Sequence, residues 1–424
     1  MTTIAQNLRL AGTTKTVTDL KWDLRQAQIR KKLSALALIA PLAIFLLITF
    51  IVPIAVLLQR AVENAEIVTV LPKTVAALAS WDKRGLPPDA AYVALANDLT
   101  LAHQSNTAGN LARRMNAEIP GARSVVMRTM RAMPLLDANG MPLSPTAMKP
   151  ALIALDESWG QLEYWQLIAK NSSAYSPYYL LASLDLRRDA FGDIHAVDAD
   201  QAVFVKIFTR TFVISLVVTL CSLVLAYPLA YRLSLMADRR ANLFMILVLI
   251  PFWTSILVRV AAWIVLLQSE GLVNKSLIAL GLTKAPLELL FNRFGVYVSM
   301  THILLPFMIL PLYSVMKAIP PTYMRAAISL GSHPFAAFWR VYVPQTLPGV
   351  AAGGLLVFIL ALGYYITPAL LGGPNEQMVS YYVAYFTNVT INWGMACALG
   401  SLLFAATLVL YSVYRRYTKT DVSM

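Results

Sequence analysis

The sequence is poor in the residues that carry most metal and enzymatic chemistry. Among 424 residues it has two cysteines and four histidines. Both cysteines, Cys221 and Cys397, lie inside apolar stretches, where a thiol usually serves as a small buried hydrophobic group, so we expect neither a disulfide nor a metal site. The sequence contains no G-x-x-x-x-G-K-[ST], H-E-x-x-H or Ser-His-Asp motif. We therefore expect a chain that is not an enzyme by itself and that holds no metal, nucleotide or other cofactor.

Charge is also scarce. Asp, Glu, Lys and Arg make up only 13% of the chain, whereas 58% of the residues are hydrophobic. An average soluble domain has about 25% charged residues, so the composition predicts a polytopic membrane protein. The formal net charge is +13. This charge does not indicate nucleic acid as a partner, because the excess cations lie in short loops beside apolar segments.

Six apolar runs are long enough to cross a membrane as helices, which takes about 20 residues each. The runs cover residues 33–58, 208–233, 243–267, 294–315, 348–371 and 393–414. Arg30, Lys31 and Lys32 directly precede the first run, which has no cleavage site after it and is expected to be a retained anchor. The even number of runs and the bias of Lys and Arg towards alternate short loops both place the N and C termini in the cytoplasm.

Residues 61–203 contain no run that could span a membrane. Helical patterns at 89–101, 107–115 and 149–170 are separated by Pro and Gly clusters. Because a segment of this length can bury a modest core, we predict a mostly helical extracytoplasmic domain inserted between the first two spans; the alternative is a loosely ordered loop. The other predicted divisions are a cytoplasmic arm at 1–32, the first transmembrane helix at 33–60, a core of five transmembrane helices at 204–416 and a cytoplasmic tail at 417–424.

The loop at residues 320–345 has the pattern of two short helices beside the membrane. The Pro320-Pro321 pair is expected to end the preceding helix, since neither residue has an N–H group. Thr322 is expected to cap the first short helix, and Gly331 stands where a helix C-terminus favours a left-handed residue. Ser332 is expected to cap the second helix. Such an ordered hairpin is typical of a docking surface, although an amphipathic connector without a partner is the alternative.

The loop contains Arg325, Ala326, Ala327, Gly331, Val341, Val343 and Pro344, with three residues between Ala327 and Gly331 and nine between Gly331 and Val341. At this spacing they resemble the coupling loop in permease subunits of bacterial ABC importers. The family pattern is Glu-Ala-Ala, three residues, Gly, nine residues and Ile-x-Leu-Pro. Arg325 replaces the family's glutamate, and Pro344 is expected to end the second short helix. The sequences P-F-W-T-S-I-L-V-R at 251–259, L-P-F-M-I-L-P-L-Y at 305–313 and T-P-A-L-L-G-G at 367–373 are similar to the spermidine/putrescine branch.

The resemblance implies a type I ABC importer permease fold in the bacterial inner membrane, in contact with membrane lipid. It implies a second permease subunit that forms a heterodimer with this one, two ATPase subunits that hold ATP and magnesium, and an extracytoplasmic substrate-binding protein. Residues Arg325, Ala326, Ala327, Gly331 and Pro344 would then belong to the coupling helix that sits in a groove of the ATPase. A cation in the first turn of a helix is unfavourable by about 0.3–1 kcal/mol. We therefore expect Arg325 to pair with an acidic group of the ATPase; the alternative is that it points into solvent.

Five residues in the third and fifth spans are candidates for the solute pathway: Trp253, Arg259, Tyr364, Tyr365 and Thr367. Arg259 is a charged side chain in an apolar run, which suggests a pore or gate, although its position roughly 24 Å along the span also suits an anchor at the outer interface. The tyrosine faces can attract an ammonium group by about 0.5–2 kcal/mol each. The alternative for the tyrosines is a packing kink, and Trp253 invites the same two interpretations.

These features favour the permease subunit of an ABC importer for a small polar organic solute, such as a polyamine, an amino acid or a similar amine. Two other classes of function stay open. A secondary transporter or channel would need charged groups in the membrane for ion coupling, and the six runs contain no Asp, Glu or Lys. A membrane receptor would use the insert to bind its ligand. The dependence of solute uptake on ATP distinguishes the three.

Overall fold

The computed structural model describes residues 17–105, 107–137, 140–141 and 143–418, and most of these residues are helical. The chain divides into two compact units, of which the first ends at Leu58 and the second begins at Gln59. Residues 1–16 of the predicted arm and residues 419–424 of the predicted tail lie outside the described residues.

The first unit is dominated by one long apolar helix. It consists of α1 (Val17–Leu46), a π-helical turn (Leu47–Ile51) and α2 (Val52–Arg60), the end of which belongs to the second unit. The part from Ala27 to Arg60 is long and apolar enough to cross a membrane. This helix includes the run that the sequence predicted as the first span.

The second unit begins with the insert and continues into a helical bundle. In the insert the elements are α3 (Ala65–Val68), α4 (Pro72–Ala77), α5 (Asp89–Ser105), α6 (Ala108–Glu118), α7 (Ala122–Arg131), α8 (Pro145–Leu155), α9 (Leu162–Lys170), α10 (Tyr178–Ala182), β1 (Leu186–Arg188) and β2 (Ile194–Ala196). In the bundle they are α11 (Phe204–Ser234), α12 (Asp238–Leu249), α13 (Ile256–Leu267), α14 (Leu272–Ala279), α15 (Arg293–Ala318), α16 (Thr322–Ser329), α17 (Pro334–Ala337), α18 (Val343–Leu362), α19 (Ile366–Leu371), α20 (Val379–Asn388) and α21 (Trp393–Thr418). The two strands form an antiparallel hairpin in which Arg187 pairs with His195.

Six candidate membrane spans occur in the described part of the chain, which confirms the predicted all-α polytopic fold. They are Ala27–Arg60, Phe204–Ser234, Ile256–Ala279, Arg293–Ala318, Pro334–Leu362 and Trp393–Arg416. The number agrees with the sequence prediction, but the bounds of the third and fifth spans differ from it, for reasons given below.

The insert has a hydrophobic core of its own, built on three aromatic side chains. Trp159 and Trp165 are almost completely buried, and their ring centroids lie 5.9 Å apart; Tyr92 lies 4.5 Å from Trp165. The indole of Trp159 donates a hydrogen bond to Thr129 Oγ1 at 2.8 Å, and the indole of Trp165 donates to the Trp159 carbonyl at 2.9 Å. Because the polar atom of each indole is satisfied, these large rings are buried without leaving a donor unpaired.

The predicted helix at 149–170 is in fact two helices joined by a 3₁₀ turn. Helix α8 ends at Leu155, Asp156 adopts an extended backbone, and residues 157–160 form the turn before α9 begins. The Asp156 side chain accepts a hydrogen bond from the Ser158 N–H group at 3.1 Å. Aspartate competes with helix formation through such local bonds, and Gly160 favours the break further. This break directs the side chain of Trp159 into the core.

Helices α11, α15 and α18 form the core of the bundle, with Ile214, Met308 and Val357 among its buried side chains. Glycine allows the close approach of α18 to α15, because a Cβ atom at Gly353 would lie 2.9 Å from the sulfur of Met308. Of the two free cysteines, Cys397 is buried as expected, whereas Cys221 is exposed. Cys221 lies on an outward, apolar face of α11.

The third and fifth predicted spans are both interrupted. In the third, a 3₁₀ turn at 250–253 and an extended residue, Thr254, separate α12 from α13. Pro251 lies within this turn and cannot donate the hydrogen bond that a continuous helix needs. In the fifth, α18 ends at Leu362, and α19 begins only at Ile366. Pro368 in the first turn of α19 likewise has no N–H group to donate to the carbonyl of residue 364, as a continuous helix would require.

Candidate functional site

The loop at residues 320–345 is ordered, and its first short helix ends in a glycine turn. Helix α16 ends at Ser329, and Gly331 has a φ of +90°, the left-handed conformation predicted for it. The Ser332 N–H donates to the Ala327 carbonyl at 3.0 Å, and the Gly331 N–H donates to the Ile328 carbonyl at 2.9 Å. These two bonds are the Schellman pattern, which satisfies carbonyls at the end of a helix. The turn therefore has a defined shape.

Three predicted details of the loop are wrong. Thr322 is the first residue of α16 and not its cap; Pro321 precedes it, without a side-chain capping bond. The second short helix is capped by His333 and not by Ser332, because His333 Nδ1 accepts the Phe335 N–H at 3.3 Å. Pro344 does not end that helix. A π-helical turn at 338–342 joins α17 to α18, and a widened turn relieves the clash of a proline ring with preceding carbonyls.

The loop presents an apolar surface, which we name the loop surface and define by Tyr323, Ile328, Leu330, Phe335 and Trp339. All five side chains are exposed, Leu330 by 88% and Phe335 by 68%. Arg325 and Ala326 are also exposed, while Ala327 is half-buried. A concentration of large apolar side chains open to solvent is typical of an interaction site.

An aromatic cluster that was not predicted from the sequence packs the loop against the bundle. The ring of Tyr231 on α11 lies 5.3 Å from that of Phe338 and 5.1 Å from that of Tyr342. One turn earlier, the hydroxyl of Tyr227 lies 3.0 Å from that of Thr346. The signal for this cluster was present as two pairs of aromatic residues four positions apart, the spacing of neighbours on one helix face.

The interruptions in the third and fifth spans place the candidate pathway residues at irregular backbone. Trp253 belongs to the 3₁₀ turn and is 77% exposed, and its neighbour Phe252 packs on Phe307 with ring centroids 4.8 Å apart. Tyr365 precedes α19 and is exposed, whereas Thr367 within α19 is fully buried. Non-helical backbone at membrane depth is tolerated where it is buried in protein or lines a water-filled cavity.

Arg259 and Tyr364 are brought together by the fold. The Arg259 guanidinium lies close enough to Tyr364 and to His302 to interact electrostatically with both. Trp263 donates a hydrogen bond to His302 Nδ1 at 3.3 Å, so the two helices α13 and α15 are joined beside the cation. Within the described residues, the buried Nε and Nη1 atoms of Arg259 have no hydrogen-bond partner. Unpaired buried polar groups are expensive and mark candidate functional positions.

Comparison with known proteins identifies relatives of the bundle. Residues 211–419 match the family described as "Binding-protein-dependent transport system inner membrane component". The spermidine/putrescine transport system permease protein PotB of Haemophilus influenzae is 37% identical over 179 residues, which cover 42% of this chain and 62% of that protein. PotB of Escherichia coli is 31% identical over 178 residues, with 42% and 64% covered. These matches confirm the resemblance predicted from the loop motif.

The chain spans about three fifths of the length of the curated relatives. Among solved structures, a bacterial alginate ABC transporter, crystallised in complex with an alginate pentasaccharide-bound periplasmic protein, is 17% identical with a TM-score of 0.43, covering 52% of this chain and 80% of that chain. The family match begins at Thr211 and therefore does not include the insert.

Proposed function

We propose that this chain, whose residues 211–419 match the inner membrane permease family of binding-protein-dependent transport systems, moves a small amine-bearing solute into a bacterial cell with energy from a separate ATPase. The solute would be a polyamine, an amino acid or a similar amine. The observation that carries the proposal is the ordered loop at 320–345, which combines the family motif with an exposed apolar surface.

The loop surface is the proposed contact with the ATPase. Covering its apolar side chains would contribute roughly 25 cal/mol for each Å² removed from water. Behind this surface, Phe338 and Tyr342 pack against Tyr231 of α11. Since packed aromatic side chains do not deform continuously, a displacement of the loop would move α11 and α18 with it. The aromatic cluster is thus the proposed mechanical link between ATP hydrolysis and the spans.

The proposed orientation places both termini and Gly331 in the cytoplasm and the insert outside. It follows from the number of spans and from the cations beside them, such as Arg232, Arg239 and Arg240. The proposed partners are a second permease, two ATPase subunits with their ATP and magnesium, and a substrate-binding protein on the outer side. The insert is proposed to be an extracytoplasmic domain that reaches the second permease or the docked binding protein.

The proposed solute pathway passes the two helix interruptions. Broken membrane helices expose backbone carbonyls and helix ends, which are the groups that membrane transporters use to bind polar solutes. Tyr364 and Tyr365 would hold an ammonium group by cation–π contact, and Trp253 would do so at the other interruption. Arg259, whose Nε and Nη1 atoms have no hydrogen-bond partner among the described residues, would bind an acidic group of the solute or hold the gate closed. Thr367 offers a buried hydroxyl beside Tyr364.

The test is uptake by the complete complex in proteoliposomes, reconstituted with the second permease, the ATPase subunits and the substrate-binding protein. We expect uptake to require ATP and to be lost in a Tyr364→Ala variant, while an exposed control change in the insert, Glu157→Gln, leaves it unchanged. Uptake that continues without ATP would identify a secondary transporter or channel instead. Solute binding without any uptake would favour the receptor.

A further inference from the structure

A cavity lies where the insert meets the start of the last span. It has a volume of about 310 Å³ and is lined by parts of α3, α6 and α10 together with the turn at residues 391–394. This volume is at the lower end of the range for small-molecule sites, roughly 300–1,000 Å³. None of the pathway residues described above lines the cavity. A ligand held here would therefore be separate from the solute pathway.

Charges of both signs line the cavity. The cations are Arg60, Arg113 and Arg114, and the anions are Glu63 and Glu66. The aromatic residues Tyr179 and Trp393 also line the cavity. A lining with both signs of charge and aromatic faces does not suit a purely anionic or a purely apolar ligand.

Arg114 lines the cavity and is held in place by its neighbours. The residue is only 2% exposed, and its guanidinium stacks on the ring of Tyr178 at 3.6 Å. Its Nη2 atom lies 2.8 Å from Glu118 Oε1, and Nε donates to Asn64 Oδ1 at 3.2 Å. The buried Nη1 atom has no acceptor among the described residues. A buried guanidinium N–H without an acceptor is unfavourable, and an acidic group of a ligand would supply the missing acceptor.

Glu66 has the complementary arrangement. Its Oε1 atom accepts a hydrogen bond from the Tyr179 hydroxyl at 3.2 Å, which orients the carboxylate. Burial, followed by the negative charge of Glu66, raises the pKa of Tyr179, so this hydroxyl keeps its proton. The buried Oε2 atom has no donor within the described part of the chain. An ammonium group is the natural partner for this oxygen.

We propose that this cavity binds a small zwitterion, with its acidic group on Arg114 and its ammonium group on Glu66. Tyr179 lies between the two charges, since its hydroxyl contacts Glu66 and its ring centroid is 5.6 Å from the Arg114 guanidinium. A diamine would place a second cation beside Arg113 and Arg114, and a simple carboxylate would leave Glu66 unpaired.

The cavity is placed to connect the insert with the last span. Arg113 donates a hydrogen bond to the carbonyl of Ile391, and Ile391 has a φ of +53°, which is strained for a β-branched residue. Asn392 and Trp393 follow directly, and α21 begins at Trp393. A bound zwitterion would thus contact helices of the insert and the first residues of the last span together.

The experiment measures binding to the full chain in detergent or nanodiscs by isothermal titration calorimetry. The probes are glycine, β-alanine and γ-aminobutyrate, with propionate, propylamine and putrescine as comparisons that carry only one sign of charge. We expect at least one zwitterion to bind about tenfold more tightly than every comparison molecule, the ratio that corresponds to one charged hydrogen bond.

Three variants locate the site. Glu66→Gln keeps the bond from Tyr179 but removes the negative charge, and should weaken the zwitterion about tenfold. Thr69→Phe fills the cavity from an exposed position and should abolish binding even if Glu66→Gln fails to fold. Glu157→Gln, an exposed carboxylate outside the cavity, should change nothing.

The proposal is overturned if no zwitterion binds, or if propionate, propylamine or putrescine binds as tightly as the zwitterions. It is equally overturned if Thr69→Phe binds like the unaltered chain, because the ligand would then occupy another place.

Discussion

Replacing Glu118 by glutamine should destabilise the insert strongly. Glu118 lies between two cations, 2.8 Å from Arg114 and in direct contact with Lys170. Its Oε1 atom also accepts a hydrogen bond from Asn171 at 3.0 Å. Burial by itself would raise the pKa of Glu118, but the charges of Arg114 and Lys170 and the bonds from Lys170 and Asn171 outweigh it and lower the pKa. The carboxylate is therefore ionised and compensates two neighbouring cations.

The magnitude follows from what the substitution leaves behind. Glutamine has nearly the same shape, so packing changes little, but Arg114, which is 2% exposed, loses its counter-ion. Removing one partner of a buried ion pair typically costs about 3–5 kcal/mol. Lys170 is less buried and can turn towards water, so we expect the lower end, about 3 kcal/mol. For a domain whose whole stability is about 5–15 kcal/mol, this is a large fraction.

The assay is urea unfolding of residues 61–203 expressed alone, followed by far-ultraviolet circular dichroism. The fragment should show a helical spectrum and a cooperative transition. With a slope of about 2 kcal/mol per molar urea, the Glu118→Gln midpoint should fall by about 1.5 M. The control is Glu157→Gln, an exposed carboxylate in the same fragment, which should stay within about 0.5 kcal/mol.

Two results would refute this reasoning, and they refute different parts of it. A coil spectrum for the unaltered fragment would show that the insert does not fold by itself. A folded fragment whose midpoint is the same with Glu118 or with glutamine would show that the ion network adds no stability.

Three further predictions follow from the structure. The stability lost on Glu118→Gln should become smaller as the pH falls below about 4.3, the ordinary pKa of glutamate. Folding lowers the pKa of Glu118, so the carboxylate stabilises the insert fully above its unfolded-state pKa and loses this effect as the pH falls through its folded-state pKa. Urea midpoints of both proteins at several pH values would measure this. Arg325→Glu should favour α16 by about 0.3–1 kcal/mol through the helix dipole yet reduce co-purification of the ATPase, whereas unchanged assembly and ATP hydrolysis would rule out the proposed Arg325 pair. In a background without Cys221 and Cys397, a cysteine at Ser332 should react with an impermeant thiol reagent only after cells are opened, and labelling of intact cells would contradict the orientation.

The sequence alone determined that the protein spans a membrane and where the helical loop at residues 320–345 lies. Both depend on local properties. A membrane span is recognised from its own length and apolar composition, because the bilayer sets both. Gly331 could be assigned a left-handed conformation since only glycine adopts it readily after a helix, and its φ of +90° agrees. The relatives of residues 211–419 were recognisable for the same reason, since the motif is contiguous.

Hydropathy could not predict where the spans are interrupted. It averages over a window of residues, and the residues on both sides of Pro251 and Pro368 are equally apolar. Whether a proline kinks a helix, ends it or is accommodated within it depends on where the neighbouring carbonyls find donors. Pro344 is accommodated because a π-helical turn precedes it. The cap of α17 was misassigned for a similar reason, since Ser332 is used in the turn that closes α16.

The tertiary structure alone decided what the insert holds. Arg114 and Asn171 are 57 positions apart, and no sequence pattern connects them. The cavity joins α3, α6 and α10 to residues 391–394, which are separated by most of the chain. Local sequence carries the propensity of each helix, but the pairing of charges and the shape of a cavity arise only when distant elements pack, because burial removes the water that would otherwise satisfy each group separately.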